Sequence, residues 1–286
     1  MGVKMVTGIQ NLIIISRKEF STLLNNWVIL VILSAYSLFI IVTVFNFYNS
    51  LNGNSSGELL FGYNAGLAAS NYLFSCLTLY GAIVGIMIGC SSISCERHNK
   101  SLNTLIVKPV YRDTIINGKL AGSTMFLIFV LSFTTVFYTT GILILCGNSL
   151  ESYLFDYVTH TIVVLGYSIV YVMVFLSLSM LISIIIKDQA FAMLLGFTLL
   201  YISDLMRSVD FAMNLSTLLG NDGIYDKLVY LSPSGSLWAV QQKLFENTSG
   251  LMDVISSIFP DVLKFLICVI VACFLSYSLF NRSDIA

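Results

Sequence analysis

The residue types that carry out chemistry are few in this chain, and their spacing excludes most of the reactions they would serve. His98 and His160 are far apart, and the six cysteines form no C-x-x-C pair, so no two-histidine zinc site or Ser-His pair is spelled out. The only Gly-Lys dipeptide, Gly118-Lys119, has Asp113 where a phosphate-cradling loop needs its first glycine and Leu120 where it needs Ser or Thr. By that motif the chain binds no ATP, and no catalytic, cofactor-binding or metal-binding residue is assigned. What remains is a concentration of base. Residues 95–122, CERHNKSLNTLIVKPVYRDTIINGKLAG, place Arg97, Lys100, Lys108, Arg112 and Lys119 in one short stretch. Such a stretch either sets membrane orientation and contacts anionic lipid, or docks a partner.

Composition says what elements hold that stretch. Of 286 residues, 57% are hydrophobic and 10% charged, against about 25% charged in soluble domains. The net charge of −1 offers no basic face to nucleic acid. The chain is predicted to be a membrane protein. Apolar runs at Trp27 to Phe47, Tyr72 to Ile93, Leu120 to Cys146, Thr161 to Ile186, Gln189 to Met206 and Pro260 to Phe280 are each long enough to cross a hydrocarbon core of about 30 Å. They lack the alternation of barrel strands, and in lipid their amides must be satisfied within the segment. The expected fold is an all-α membrane protein, a single domain over 1–286 with six transmembrane helices.

Basic residues set the expected orientation. Lys4, Arg17 and Lys18 precede the first span, the 95–122 stretch joins the second to the third, Lys187 joins the fourth to the fifth, and Arg282 follows the sixth. Segments 48–71 and 147–160 contain no Lys or Arg. Both termini are therefore expected to be cytoplasmic. The net acidic segment 207–259 suits the outside. Leu12 to Ile15 is too short for a signal-peptide core, so the first span is expected to anchor itself.

Several local patterns refine this layout. Within 1–26, Ile9, Leu12, Ile13, Ser16, Phe20, Leu23 and Leu24 share one helical stripe, which reads as an interfacial helix or one packed on a partner. Gly81, Gly85 and Gly89 recur every four residues on one face of the second span, a spacing that lets another helix approach closely. The pattern does not say whether that helix belongs to this chain or to a second copy, and a conduit lined by exposed backbone ranks behind packing. In 207–259, Ser232 or Ser234 is placed to cap a helix carrying Leu237, Val240, Leu244 and Phe245. A second short helix is expected to carry Leu251, Val254, Ile255 and Ile258. Asp204 with Arg207, and Asp261 with Lys264, are spaced for local pairing near the outer ends of their spans. Spans one to four contain no charge, which disfavours an ion-coupled carrier. Thr135, Tyr138, Thr139, Tyr167 and Tyr171 either line a path or bond across helices.

A resemblance joins these pieces. Glu96-Arg97, Ser101-Leu102, Leu105, Pro109-Val110, Arg112 and Gly118-Lys119-Leu120 resemble, in order and spacing, a pattern of permease subunits of type 2 ABC exporters. Arg17-Lys18-Glu19-Phe20, Leu231-Ser232-Pro233 and Phe280 to Ile285 are similar to further landmarks of that family, and the single-domain size matches its NosY-like members. The resemblance implies a non-enzymatic permease in the cell membrane, the plasma membrane of a prokaryote, working as a homodimer with two separate ABC ATPase subunits that hold ATP and Mg. It implies an ATPase-docking set of Glu96, Arg97, Lys100, Leu102, Leu105, Pro109, Arg112 and Lys119, with 97–108 as the coupling helix. An external accessory protein would fit the NosY-like reading. The rival from another class is a membrane scaffold or receptor whose external loop binds a partner.

Overall fold

The computed structural model describes residues 2–53, 65–98, 112–151, 154–186, 188–208, 224–245 and 251–282, with a few positions between 211 and 218. Among them the regular elements are helices: α1 Gly2–Leu24, α2 Trp27–Gly53, α3 Ala65–His98, α4 Arg112–Leu150, α5 Leu154–Ile185, α6 Gln189–Arg207, α7 Ile224–Leu231, α8 Pro233–Phe245 and α9 Leu251–Arg282. Six of these (α2 to α6 and α9) are long and apolar enough to cross a membrane. Hydroxyls inside the spans are largely satisfied by their own helices: Thr78, Thr134 and Thr135 each donate to the carbonyl four residues earlier. This back-bonding lets Ser and Thr lie in lipid without a partner helix.

α3 and α5 form the centre. Their spans are 72% and 67% buried, against 22%, 17% and 22% for α2, α6 and α9, which ring them. Gly81, Gly85 and Gly89 all face α5, so the helix contact expected from their spacing lies within the chain. A Cβ on Gly81 would stand 2.7 Å from Val172 Cγ2, and one on Gly85 3.1 Å from Val172 Cγ1. At Gly89 it would overlap Ser179 Oγ and stand 2.7 Å from the Leu176 carbonyl oxygen, an approach that only glycine permits. Ser183 Oγ then donates to the Cys90 carbonyl oxygen at 2.9 Å, tying the two helices one turn further on. A third helix arrives at Gly196 of α6, where a Cβ would stand 2.5 Å from Ile86 of α3. Outward faces stay apolar: Leu38 and Phe45 of α2, Phe133 and Ile144 of α4, and Ile270 and Phe274 of α9 are exposed.

Helix ends depart from the apolar runs that announce them. α3 begins at Ala65 and α4 spans 39 residues, about 58 Å at 1.5 Å per residue, so both extend past the hydrocarbon. The expected short helix at Leu251 is instead the first part of α9, which runs through Pro260 without a break. Proline removes one backbone donor and crowds the preceding turn. One turn before it, the Ser257 carbonyl accepts from Lys243 of α8 at 3.3 Å. The carbonyl that loses its helical donor to Pro260 is that of Ser256, so Lys243 ties α8 to the next carbonyl along the same turn. α7 has no counterpart in the pattern read from 207–259.

Candidate coupling site at one end of the bundle

The end of the bundle where α3 stops and α4 starts is built around α1. α1 lies along the first turns of α4 because two glycines of α4 remove the side chains that would hold it off. A Cβ on Gly118 would stand 2.7 Å from Ile15, and one on Gly122 2.7 Å from the Ser16 carbonyl oxygen. Between these glycines Lys119 turns inward. Its Nζ bonds Glu19 Oε2 of α1 at 3.1 Å and the Ser92 carbonyl oxygen of α3 at 2.7 Å. The side chains are 5% and 12% exposed, so this is a buried ion pair whose cation also caps a carbonyl near the end of α3. Phe20 packs edge-on against Phe126 and Phe129 of α4 one turn further along. Three elements distant in sequence are thereby clamped at one point.

Of the expected ATPase-docking residues, Glu96, Arg97, Arg112 and Lys119 lie among the described residues. Glu96 and Arg97 continue α3, and Arg112 opens α4. Lys100, Leu102, Leu105 and Pro109 lie outside the described residues, as does most of the 97–108 segment. Lys119 departs from its expected place on a docking surface: at 4% exposure it is held inside by Glu19 and Ser92. A buried ammonium stays charged only when it is paired and hydrogen-bonded, and that requirement aims it away from solvent. Of the stripe read along α1, Ser16 and Leu23 are buried, whereas Ile13 is 56% exposed and Ile15 takes its place against Gly118. Glu19, Gly118 and Gly122 are site residues that the sequence reading left unassigned. The four-residue repeat in Gly118-Lys-Leu-Ala-Gly122 is the signal for the glycines, and Glu19 stands in the Arg17-Lys18-Glu19-Phe20 landmark, which assigns it no role.

At the opposite end α7 and α8 pack on the bundle. Ser232 Oγ accepts from the Gly235 amide at 3.0 Å, so of the two serines placed to cap α8 it is Ser232 that does so. Ser203 of α6 and Ser234 of α8 share a hydrogen bond at 2.9 Å, and Gln241 of α8 donates to Asn71 of α3 at 2.6 Å. Phe245 meets Phe74 of α3 edge-on. Asp204 and Arg207 pair at 3.3 Å as expected. Asp261 and Lys264 do not pair with each other. Asp261 meets Lys243 of α8 at 3.5 Å. Lys264 donates to the Tyr230 carbonyl oxygen and to Ser236 Oγ, with its Nζ 4.5 Å from the Tyr230 ring centroid. The α7–α8 turn offers Lys264 a carbonyl, a hydroxyl and an aromatic face together, which one carboxylate on its own helix does not match. Of the hydroxyls that either line a path or bridge helices, Tyr138 donates to the Ala69 carbonyl oxygen at 3.0 Å and Thr139 bonds Tyr157 at 2.9 Å. Among the described residues no group of three or more His, Cys, Asp or Glu is placed to hold a metal ion.

Six membrane-length helices around a glycine-packed central pair, with an amphipathic helix clamped at one end and short helices packed on the other, define a multi-pass membrane protein. The model of the ABC-2 family transporter proteins matches residues 13–285, and the chain belongs to that family. It is a membrane-spanning permease subunit of a type 2 ABC transporter, and membership implies association with an ABC ATPase. A comparison with curated proteins finds no match.

Proposed function

We propose that this chain is the permease of an ATP-driven exporter, assembled as a homodimer with two ABC ATPase subunits that carry ATP and Mg. Both termini and the segment 99–111 face the cytosol, in the cell membrane of a prokaryote. The observation that carries the coupling is the Lys119 clamp, which joins α1, α3 and α4 beside the point where segment 99–111 links α3 to α4. Glu96, Arg97, Lys100, Leu102, Leu105, Pro109 and Arg112 form the ATPase contact. Closure of the ATPases displaces that contact. Because Glu96 and Arg97 lie on α3 and Arg112 on α4, the displacement passes into two spans, and Lys119 hands it to α1.

α3 and α5 are interlocked along the glycine face and move as one body. α2 and α6, with most of their surface uncovered within the chain, are the helices able to exchange neighbours as the path opens. α7 and α8 gate its outer end.

Co-purification tests the reading. The chain should bring down a P-loop ATPase, and Arg97→Ala with Arg112→Ala should change its ATP turnover severalfold while the complex persists. Unchanged turnover in an intact complex would remove the coupling role. An Asn103→Cys variant should resist an impermeant thiol reagent on intact cells and react after permeabilisation; labelling of intact cells would reverse the orientation.

A further inference from the structure

The Lys119 clamp forms part of the wall of a cavity of about 290 Å³ enclosed by α1, α2, α3 and the start of α6. The spans locate it: those of α2, α4 and α6 begin at Ile29, Ile116 and Gln189 and that of α3 ends at Ile93, so the cavity lies at one membrane boundary. Its lining is sorted along the membrane normal. Lys18, Asn26, Ser91 and Gln189 stand at the boundary, while Leu33, Val84 and Met87 carry the wall toward the hydrocarbon. From Asn26 to Leu33 the helix rises about 10 Å. A water-soluble ligand would leave the apolar half unused, and an alkyl chain alone would strand the polar half. An amphiphile fits both.

Charge chooses the headgroup. Lys18 and Lys119 against Glu19 leave one positive charge on the lining, and Arg17 stands exposed beside it. Asp188, at the start of α6, directs its carboxylate to the amides of Ala190 and Phe191. Basic pockets between membrane helices at such a boundary hold anionic headgroups. The volume lies at the lower end of small-molecule pockets, enough for a headgroup and the first part of one chain.

We propose that this cavity binds an anionic phospholipid of the adjoining leaflet, its headgroup against Lys18 and its proximal chain between α2 and α3. The bound lipid fills the gap that α1 leaves against α2 and α3 and holds α1 in the position where Glu19 meets Lys119. No ATPase is required, so this site stands or falls separately from the transport cycle.

The test is native mass spectrometry of the purified full-length chain in a neutral detergent, titrated with phosphatidylglycerol, phosphatidylcholine or inorganic phosphate. One phosphatidylglycerol should bind saturably per chain. Lys18→Gln, at an exposed position, should raise the midpoint roughly fivefold. Met87→Trp, which fills the apolar half, should abolish the adduct while the lipid-free melting temperature holds. Equal binding of phosphatidylcholine, competition by phosphate alone, or an unchanged midpoint in Lys18→Gln would overturn the proposal.

Discussion

Lys119 and Lys264 tie helices together at opposite ends of the same bundle, and they do so by different means. Lys119 is buried, meets a carboxylate on α1 and a carbonyl on α3, and joins elements separated by about a hundred residues. Lys264 is half-buried, is held by a carbonyl, a hydroxyl and an aromatic ring, and among the described residues has no acid in direct contact. The first arrangement is all-or-none, because removing either partner leaves the other charge largely buried without its counter-charge. The second is graded, since water can replace a lost neutral partner. In the proposed cycle, the end that receives force has the first property and the end that opens and recloses has the second.

The sharpest way to break this contrast is Glu19→Leu. It leaves Lys119 without its carboxylate and should destabilise the chain by about 3 to 5 kcal/mol in a denaturant or thermal melt in detergent. Adding Lys119→Met should recover much of that loss; a double variant as weak as the single one would show that the charge pair is not what matters. Next comes Gly122→Ala, which pushes a methyl toward the Ser16 carbonyl. A cost of about 1 to 3 kcal/mol is expected, with faster proteolysis at Arg17 and Lys18 as α1 lifts. Gly166→Ala, with open space around the added atom, serves as its control.

At the other end Lys264→Met should cost about 1 kcal/mol, and limited proteolysis should localise the loosening to α7 and α8. Asp204→Asn, in a pair with side chains 58% and 41% exposed, should change the melt by no more than about 0.5 kcal/mol. If Lys264→Met proved as damaging as Glu19→Leu, the two ends would be alike and the distinction would fall.

Much of the architecture was legible beforehand because lipid imposes a single solution on long apolar segments. The six spans, the packing face of Gly81, Gly85 and Gly89, a serine cap on α8 and the Asp204–Arg207 pair all follow from local spacing. The ends of spans were less legible. Asn71 precedes the apolar run, yet it lies inside α3, where Gln241 of α8 donates to its side-chain oxygen. Pro260 reads as a start, yet α9 runs through it with Lys243 meeting the neighbouring carbonyl. In both cases the helix continues past the apolar run into a turn that α8 contacts.

Composition and periodicity were enough to establish the helices, their number and the faces that pack, since each depends on residues within a few turns of one another. Which partner meets each face was decided by the three-dimensional arrangement alone. Glu19 rather than solvent receives Lys119, α5 rather than a second copy receives the glycine face, and Lys243 rather than Lys264 receives Asp261. The physical reason is that a buried charge or a missing side chain states only that something must come close. Its partner is selected by which distant element the assembled bundle brings within about 3 Å.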